Sequence, residues 1–403
     1  MKNLLNRANS HLLLVLIAII FFIQQGCKKE TSSSSSGSPE ITGIRNYVAS
    51  PGDSLITRVG TGKWIVITGK NLRGALQIYF NGVKGSFNDS WFSDTSAIVL
   101  MPAVIAFPTV EPSQLNTIRY VTTHGETTFS FPIVAPAPTI TGISNESANP
   151  GDSVRINGLN FFFIKRVNYA GQDVTAFTGS NDGTSISLVV PAGLTNGGIV
   201  TVVTKAGEAK TFYNVHDYVT GMLNNYDDVN TLAWGSDVSN SSVNYPGHTG
   251  NYGVMKASNV PAGNGSWWEG GRSMNTNSVQ WVPTANLSDS LSHYALKFEI
   301  AVNKPWVNGT LQIVKDFAFD YAAVYRPWKN VNGSSTPFKT NGWQTVAIPL
   351  SNFLNNGLPA SNLTALVGAQ GNGAINFTFI NDGTTMVENF EAAVDNIRVV
   401  RIK

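Results

Sequence analysis

From Pro39 onward the chain is written in short runs where apolar and polar residues alternate, separated by Pro-Gly, Asn-Gly and Gly-Asp pairs. A period of two sends successive side chains to opposite faces of a strand, and Gly, Pro and Asn supply the reversals between strands. Ala295–Ile300, Leu311–Ile313 and Gln344–Ile348 alternate cleanly, and the run Phe390 to Val399 reads as a closing strand. Leu223 to Asp228 reads as an opening strand, and Leu350 to Leu354 as a single helical turn. With no extended helical periodicity after the N-terminus, the pattern predicts an all-β protein.

The start of the chain follows another rule. Lys2 and Arg7 precede an unbroken apolar run from Leu12 to Ile23, the layout of an export signal. That run is short of the roughly 20 apolar residues that span a bilayer. Cys27, the protein's one cysteine, follows Gly26 just after it. A lone Cys forms no internal disulfide, and this position resembles the lipobox where a lipoprotein signal is cut and acylated. Gln24 and Gln25 depart from the usual small or aliphatic residues. The expectation is a lipid anchor at Cys27, closing a signal over residues 1–27, with an uncleaved anchor helix as the alternative. Residues 28–38, with Ser32 to Ser36, hold nothing that builds a core and read as a flexible tether. Only Glu30 supplies the acidic character that surface-exported lipoproteins carry after the Cys, so the location expected is the outer membrane, facing outward.

Comparison of the chain with itself reveals a duplication. Pro39-Glu40-Ile41-Thr42-Gly43-Ile44 returns as Pro138-Thr139-Ile140-Thr141-Gly142-Ile143, and Ser50-Pro51-Gly52-Asp53-Ser54 returns as Asn149-Pro150-Gly151-Asp152-Ser153. Ile67 to Leu72 matches Ile156 to Phe161, and the first copy has an extra segment from Leu55 to Lys63, read as a hairpin extension. The pattern resembles IPT/TIG domains, small immunoglobulin-like β-sandwiches without the cysteine pair. Residues 39–135 and 138–216 form the two copies, joined by the stiff Pro136-Ala137-Pro138, and act as a spacer. Trp64, Trp91 and Phe92 in the first copy are read as core and inter-sheet packing plus a surface loop, with sugar contact as the alternative.

Residues 217–403 lose the repeat and read as a larger, jelly-roll-like sandwich. Six of the nine Trp fall between Gly265 and Trp343. Only 13% of residues are charged and the net charge is +2, which removes the electrostatic footprint of a nucleic-acid binder. Flat rings in a neutral background rich in Asn and Gly suit carbohydrate, whose C–H faces stack on rings while polar side chains read the hydroxyls. Trp281 and Trp328, beside Pro and turn residues, are the first choices for stacking, followed by Trp267, Trp268, Trp306 and Tyr325. Arg272, Asn275, Asn277 and Gln280 are the candidate hydroxyl readers, and Trp343 is assigned to the core.

The segments LKFEI (296–300), KPW (304–306), YRPW (325–328) and GWQTVAIPLSNF (342–353) resemble the C-terminal domain of cell-surface glycan-binding lipoproteins in Sus-like uptake systems. The resemblance implies tandem immunoglobulin-like domains ahead of a sandwich that binds xyloglucan, mixed-linkage β-glucan or β-mannan. It also implies a transporter with its lid lipoprotein, and surface glycoside hydrolases, as partners. Carbohydrate-binding sandwiches often hold a structural Ca²⁺ by an Asp near the first strand and one near the last. Asp227, Asp228 and Asp395 are the candidates here, a thin set for an ion that takes about six to eight oxygens.

Two other classes compete. A glycoside hydrolase needs a carboxylate pair across the scissile bond. Glu269, Glu299, Asp316 and Asp320 lie near the aromatics but form no recognisable catalytic pattern, and His124, His216, His248 and His293 are scattered. A protein-binding adhesin would also favour Trp and Tyr. The expectation is a non-catalytic binder.

Overall fold

The computed structural model describes residues 37–403, so Cys27 and most of the tether lie outside the described residues. Among the described residues the chain is all-β, with 46% strand and 6% helix. It divides into two compact units, one holding residues up to 134 except 106–109, the other holding 106–109 and 135–403.

In the first unit, a sheet ordered Glu40–Asn46, Trp64–Lys70, Ser96–Leu100, Ser86–Phe87 forms one layer. The strands Val83–Lys84, Ala75–Phe80, Thr117–Thr122 and Gly125–Ser130 form another. Alternation puts Ile44, Ile67, Ile78, Phe80, Val99 and Ile118 in the buried core. The shared glycine of the duplicated motif has a steric reason. A Cβ on Gly69 would sit 1.8 Å from the Glu40 carbonyl oxygen, and one on Gly158 would sit 2.0 Å from that of Thr139. The Leu55–Lys63 segment is not a hairpin: its Val59–Gly60 pairs in parallel with Ile133–Val134.

The second copy repeats the design, with sheets Thr139–Ile143, Ser153–Leu159, Ser185–Val189, Phe177–Gly179 and Gln172–Val174, Ile164–Tyr169, Val200–Thr204, Glu208–Lys210. Within the same unit it meets the C-terminal sandwich through a buried ion cluster. Glu146 accepts from Lys297 Nζ at 2.5 Å and from Arg398 Nη2 at 2.5 Å, and all three side chains are almost wholly enclosed. The Glu146 amide donates to Thr345 Oγ1, and the Thr345 amide to the Ser144 carbonyl.

The C-terminal sandwich packs two sheets face to face. One runs Asp237–Ser239, Tyr252–Val260, Val387–Arg401, Tyr294–Ala301, Gln344–Pro349, with Met222–Asn224 also pairing the long Val387–Arg401 strand. The other runs Leu232–Trp234, Ser273–Thr276, Ile375–Ile380, Thr310–Lys315, Ala318–Tyr325, then Leu354–Asn355 and Leu358–Pro359. Phe298, Ile300, Leu311, Ile313, Phe377, Phe379 and Phe390 fill the space between them.

Candidate functional site

The second sheet carries, away from the core, a row of polar side chains that are nevertheless buried. Ser273 pairs across the ladder with Thr378, and Asn275 with Asn376. Asn275 Nδ2 donates to Ser273 Oγ at 3.0 Å, and Asn376 Nδ2 donates to Asn275 Oδ1 at 3.1 Å. Aromatic rings stand on this layer. Trp234, Trp267 and Phe317 lie nearly parallel, with centroids 5.2–6.2 Å apart and planes within 28° of one another. Trp268 stands at 84° to Trp267 at 5.6 Å, and Phe319 sits 6.0 Å from Trp267. Exposure is high for side chains of this size: 60% for Trp268 and 45% for Trp234, with Phe317 and Phe319 also exposed. The three parallel rings make a floor and Trp268 a wall.

Each ring is held by identifiable local structure. Gly235, at φ 115°, lets the Trp234 strand close on its neighbour, because a Cβ there would lie 2.3 Å from the Ser273 carbonyl. Phe317 sits at the tip of a hairpin where Asp316 and Phe317 adopt φ 51° and 54°, the two-residue geometry that matches strand twist. A bulky L-residue in this region is strained. Partners hold it there: the Phe317 amide donates to Asn376 Oδ1 at 2.7 Å, and the Ala374 amide donates to Asp316 Oδ1 at 2.6 Å. The loop carrying Trp267 and Trp268 is stapled by buried Arg272, whose Nη1 donates to Asn264 Oδ1 at 3.0 Å and to the Ser266 carbonyl at 3.3 Å.

Several residues expected at the site are elsewhere. Trp281 and Trp306 are 1% exposed and belong to the core, their ring N–H groups donating to the Gly373 and Asn308 carbonyls. Trp328 is half-buried against the same core and donates to the Gly309 carbonyl, and Tyr325 is half-buried beside Phe298 and Trp306. The cause is the sandwich's size: flanking Pro and turn residues mark chain reversals, yet the ring between them fills the rim of a thick core. Arg272 and Asn275 are buried supports rather than hydroxyl readers. Gln280 is exposed but its Nε2 is committed to the carbonyls of Val282, Gln370 and Gly371. Asn277 is exposed, its amide donating to the Thr231 carbonyl. Trp343 is buried with Tyr245 and Tyr252. Of the expected residues, only Trp267 and Trp268 stand on the platform. Trp234, Phe317 and Phe319 were missed; the one local signal was Phe317-Ala318-Phe319, an apolar group at a turn with Asp316 and Asp320 on either side.

Among the described residues, no three His, Cys, Asp or Glu side chains are placed to hold a metal ion. Asp227, Asp228 and Asp395 do share the lining of a cavity of about 230 Å³ with Glu299 and His248. Asp227, however, accepts from the Asn251 amide and side chain, Asp395 is 2.6 Å from His248 Nε2, and Asp228 is exposed, so the three do not fit a Ca²⁺ cradle. Burial pushes the Glu299 carboxyl up to about 8 and the Asp395 carboxyl to about 6. Both lie on the first sheet of the sandwich, whereas the rings stand on the second.

Residues 215–401 match the family model of the surface glycan-binding protein B xyloglucan binding domain. An IPT/TIG domain-containing protein of Bacteroides ovatus is 29% identical over 187 residues, 43% of this chain; the match spans only 38% of that relative's length. Among solved structures, surface glycan-binding protein PbSGBP-B from Prevotella bryantii superposes with a TM-score of 0.64 at 23% identity, covering 92% of this chain and 100% of that one. SGBP-B from a complex xyloglucan utilization locus in Bacteroides uniformis gives 0.51 at 19% identity, covering 90% and 99%. At such identities the likeness is one of fold: tandem immunoglobulin-like domains ahead of a larger sandwich. Over residues 215–401, just under half of the chain, the C-terminal sandwich is therefore similar to the surface glycan-binding protein B xyloglucan binding domain.

Proposed function

We propose that this chain is a non-catalytic surface lipoprotein that holds a plant-type β-glycan, xyloglucan first among them, on the platform of Trp234, Trp267, Trp268, Phe317 and Phe319. The observation that carries this reading is the platform itself: five neighbouring rings, four of them exposed and the fifth half-buried, on a rigid polar layer. A pyranose ring laid on such a floor buries C–H surface against aromatic carbon, while its equatorial hydroxyls point sideways to water and to loop side chains. Preorganisation limits the entropy lost on binding. The name of the matched domain family supports xyloglucan among the neutral β-glycans. Acylation at Cys27 anchors the chain to the outer membrane, and the Ser-rich tether and immunoglobulin-like domains carry the platform outward. There it passes glycan to an uptake transporter and to surface glycoside hydrolases.

The test is native electrophoresis of the mature chain in gels containing xyloglucan, mixed-linkage β-glucan or galactomannan. Retardation by xyloglucan, reduced in the Trp267→Ala/Trp268→Ala variant, is the expected result. Unchanged mobility in all three gels sinks the reading, and release of reducing sugar sinks its non-catalytic part. Cys27→Ala is expected to leave the membrane fraction, because a cleaved signal gives no attachment without acyl chains.

A further inference from the structure

We infer that the first immunoglobulin-like domain carries a second glycan-binding site, formed by Tyr47, Trp64 and Trp91; this rests on the function proposed above. Tyr47 and Trp64 have ring centroids 6.0 Å apart and planes at 44°, and Trp64 and Trp91 are 5.9 Å apart at 51°. All three keep between 38% and 51% of their surface exposed: Phe92 packs inward and Trp91 stands on a surface turn, as their sequence context allows, but Trp64 is not enclosed. The rings follow one another along one end of a sheet. Trp64 opens the strand Trp64–Lys70, Tyr47 follows Glu40–Asn46, and Trp91 ends the short turn Asp89–Trp91.

The duplication provides an internal control. Register equates Ile44 with Ile143 and Ile67 with Ile156, and both copies bury these residues. The same register puts Glu146 where the first copy has Tyr47 and Ser153 where it has Trp64. The second copy therefore folds without either ring, so the fold does not require them. In that copy Glu146 is consumed by the ion cluster with Lys297 and Arg398.

A neutral glycan chain is the occupant that fits. The Arg45 side chain pairs with Asp53 beside Tyr47, and Lys63 and Asp89 near the two tryptophans are of opposite sign, so the surface carries no block of like charge. Three rings, each turned by 44–51° from the next, form an open strip rather than a pocket for one protruding anchor. A strip of this kind follows a polymer whose successive sugars rotate about the chain axis. Two sites on one chain raise avidity only for a ligand long enough to reach both, which a polysaccharide is.

The experiment uses the full mature chain, with calorimetry against polymeric xyloglucan and a short xyloglucan oligosaccharide. Trp64→Ser/Trp91→Ser is expected to weaken polymer binding by about tenfold or more, while leaving oligosaccharide affinity at the C-terminal platform intact. Trp234→Ala/Trp267→Ala/Trp268→Ala is expected to retain weak binding that disappears when the two serine substitutions are added. Trp91→Ala alone, on a turn with no buried residue, serves if the double variant misfolds. Parent-like polymer binding by the folded serine variant overturns the inference, and so does complete loss of binding in the platform variant alone. That second outcome leaves the proposed function standing, whereas a parent chain that binds no glycan overturns both.

Discussion

Replacing Trp268 and Trp281 one at a time by Ala separates ligand contact from folding. Trp281 is enclosed, donates its ring N–H to Gly373 and packs edge-on to Phe353 at 5.9 Å. Truncating a buried Trp to Ala costs about 3–5 kcal/mol in lost transfer energy and unfilled space. In a domain of this size each kcal/mol lowers the melting temperature by about 2–4 °C, so Trp281→Ala is expected to melt roughly 6–20 °C earlier. Trp268 is 60% exposed and its aromatic contact is the perpendicular one to Trp267. Its loss is expected to move the melting temperature by no more than a few degrees. A sugar stacked on that ring covers on the order of 100 Å² of apolar surface, worth about 2.5 kcal/mol at 25 cal/mol per Å² before ordering costs. After those costs a loss of about 1.4–2 kcal/mol remains, a roughly ten- to thirtyfold weaker Kd. Scanning calorimetry and titration against xyloglucan read the two effects. If Trp281→Ala melts with the parent and abolishes binding, while Trp268→Ala binds normally, the platform is misplaced and the ring buried here is the contact.

Three further outcomes follow from named groups. Glu146→Ala leaves Lys297 and Arg398 enclosed without their shared carboxylate, and urea unfolding should register a loss of about 3–5 kcal/mol. The Glu299 carboxyl, ordinarily at 4.5, is held near 8 by burial, so between those pH values the folded chain binds a proton that the unfolded chain has released. Stability therefore falls as pH rises through that window, and Glu299→Gln should flatten the slope of melting temperature against pH. Phe317→Gly removes a platform ring but relieves a left-handed φ that costs an L-residue about 1–2 kcal/mol, so glycan affinity should fall while melting temperature holds or rises.

The all-β class and the duplication were legible because they rest on local rules. Alternation sets which side chains face inward, and the glycines of the repeat, Gly69 and Gly158, stand where a Cβ would strike a carbonyl. The platform was only partly legible, because crowding of Trp does not separate core from surface. Four of the six Trp between Gly265 and Trp343 pack against buried clusters, and each satisfies its ring N–H on a backbone carbonyl: Trp281 on Gly373, Trp306 on Asn308, Trp328 on Gly309, Trp343 on Tyr245. A thick sandwich with few charges uses Trp as filler, so density along the chain measured core volume. The three Trp outside that stretch, Trp64, Trp91 and Trp234, are all exposed. Their neighbours in space come from distant segments: Trp234 meets Trp267 and Phe317 through strand order, which no local pattern encodes. Arg272 carries the same lesson in reverse. Its position beside two Trp suggested ligand contact, yet a guanidinium so enclosed needs fixed acceptors, and Asn264 and the Ser266 carbonyl provide them. The residues that present the rings are therefore not the exposed ones: Arg272, Asn275 and Asn376 hold the backbone and loops beneath them in place.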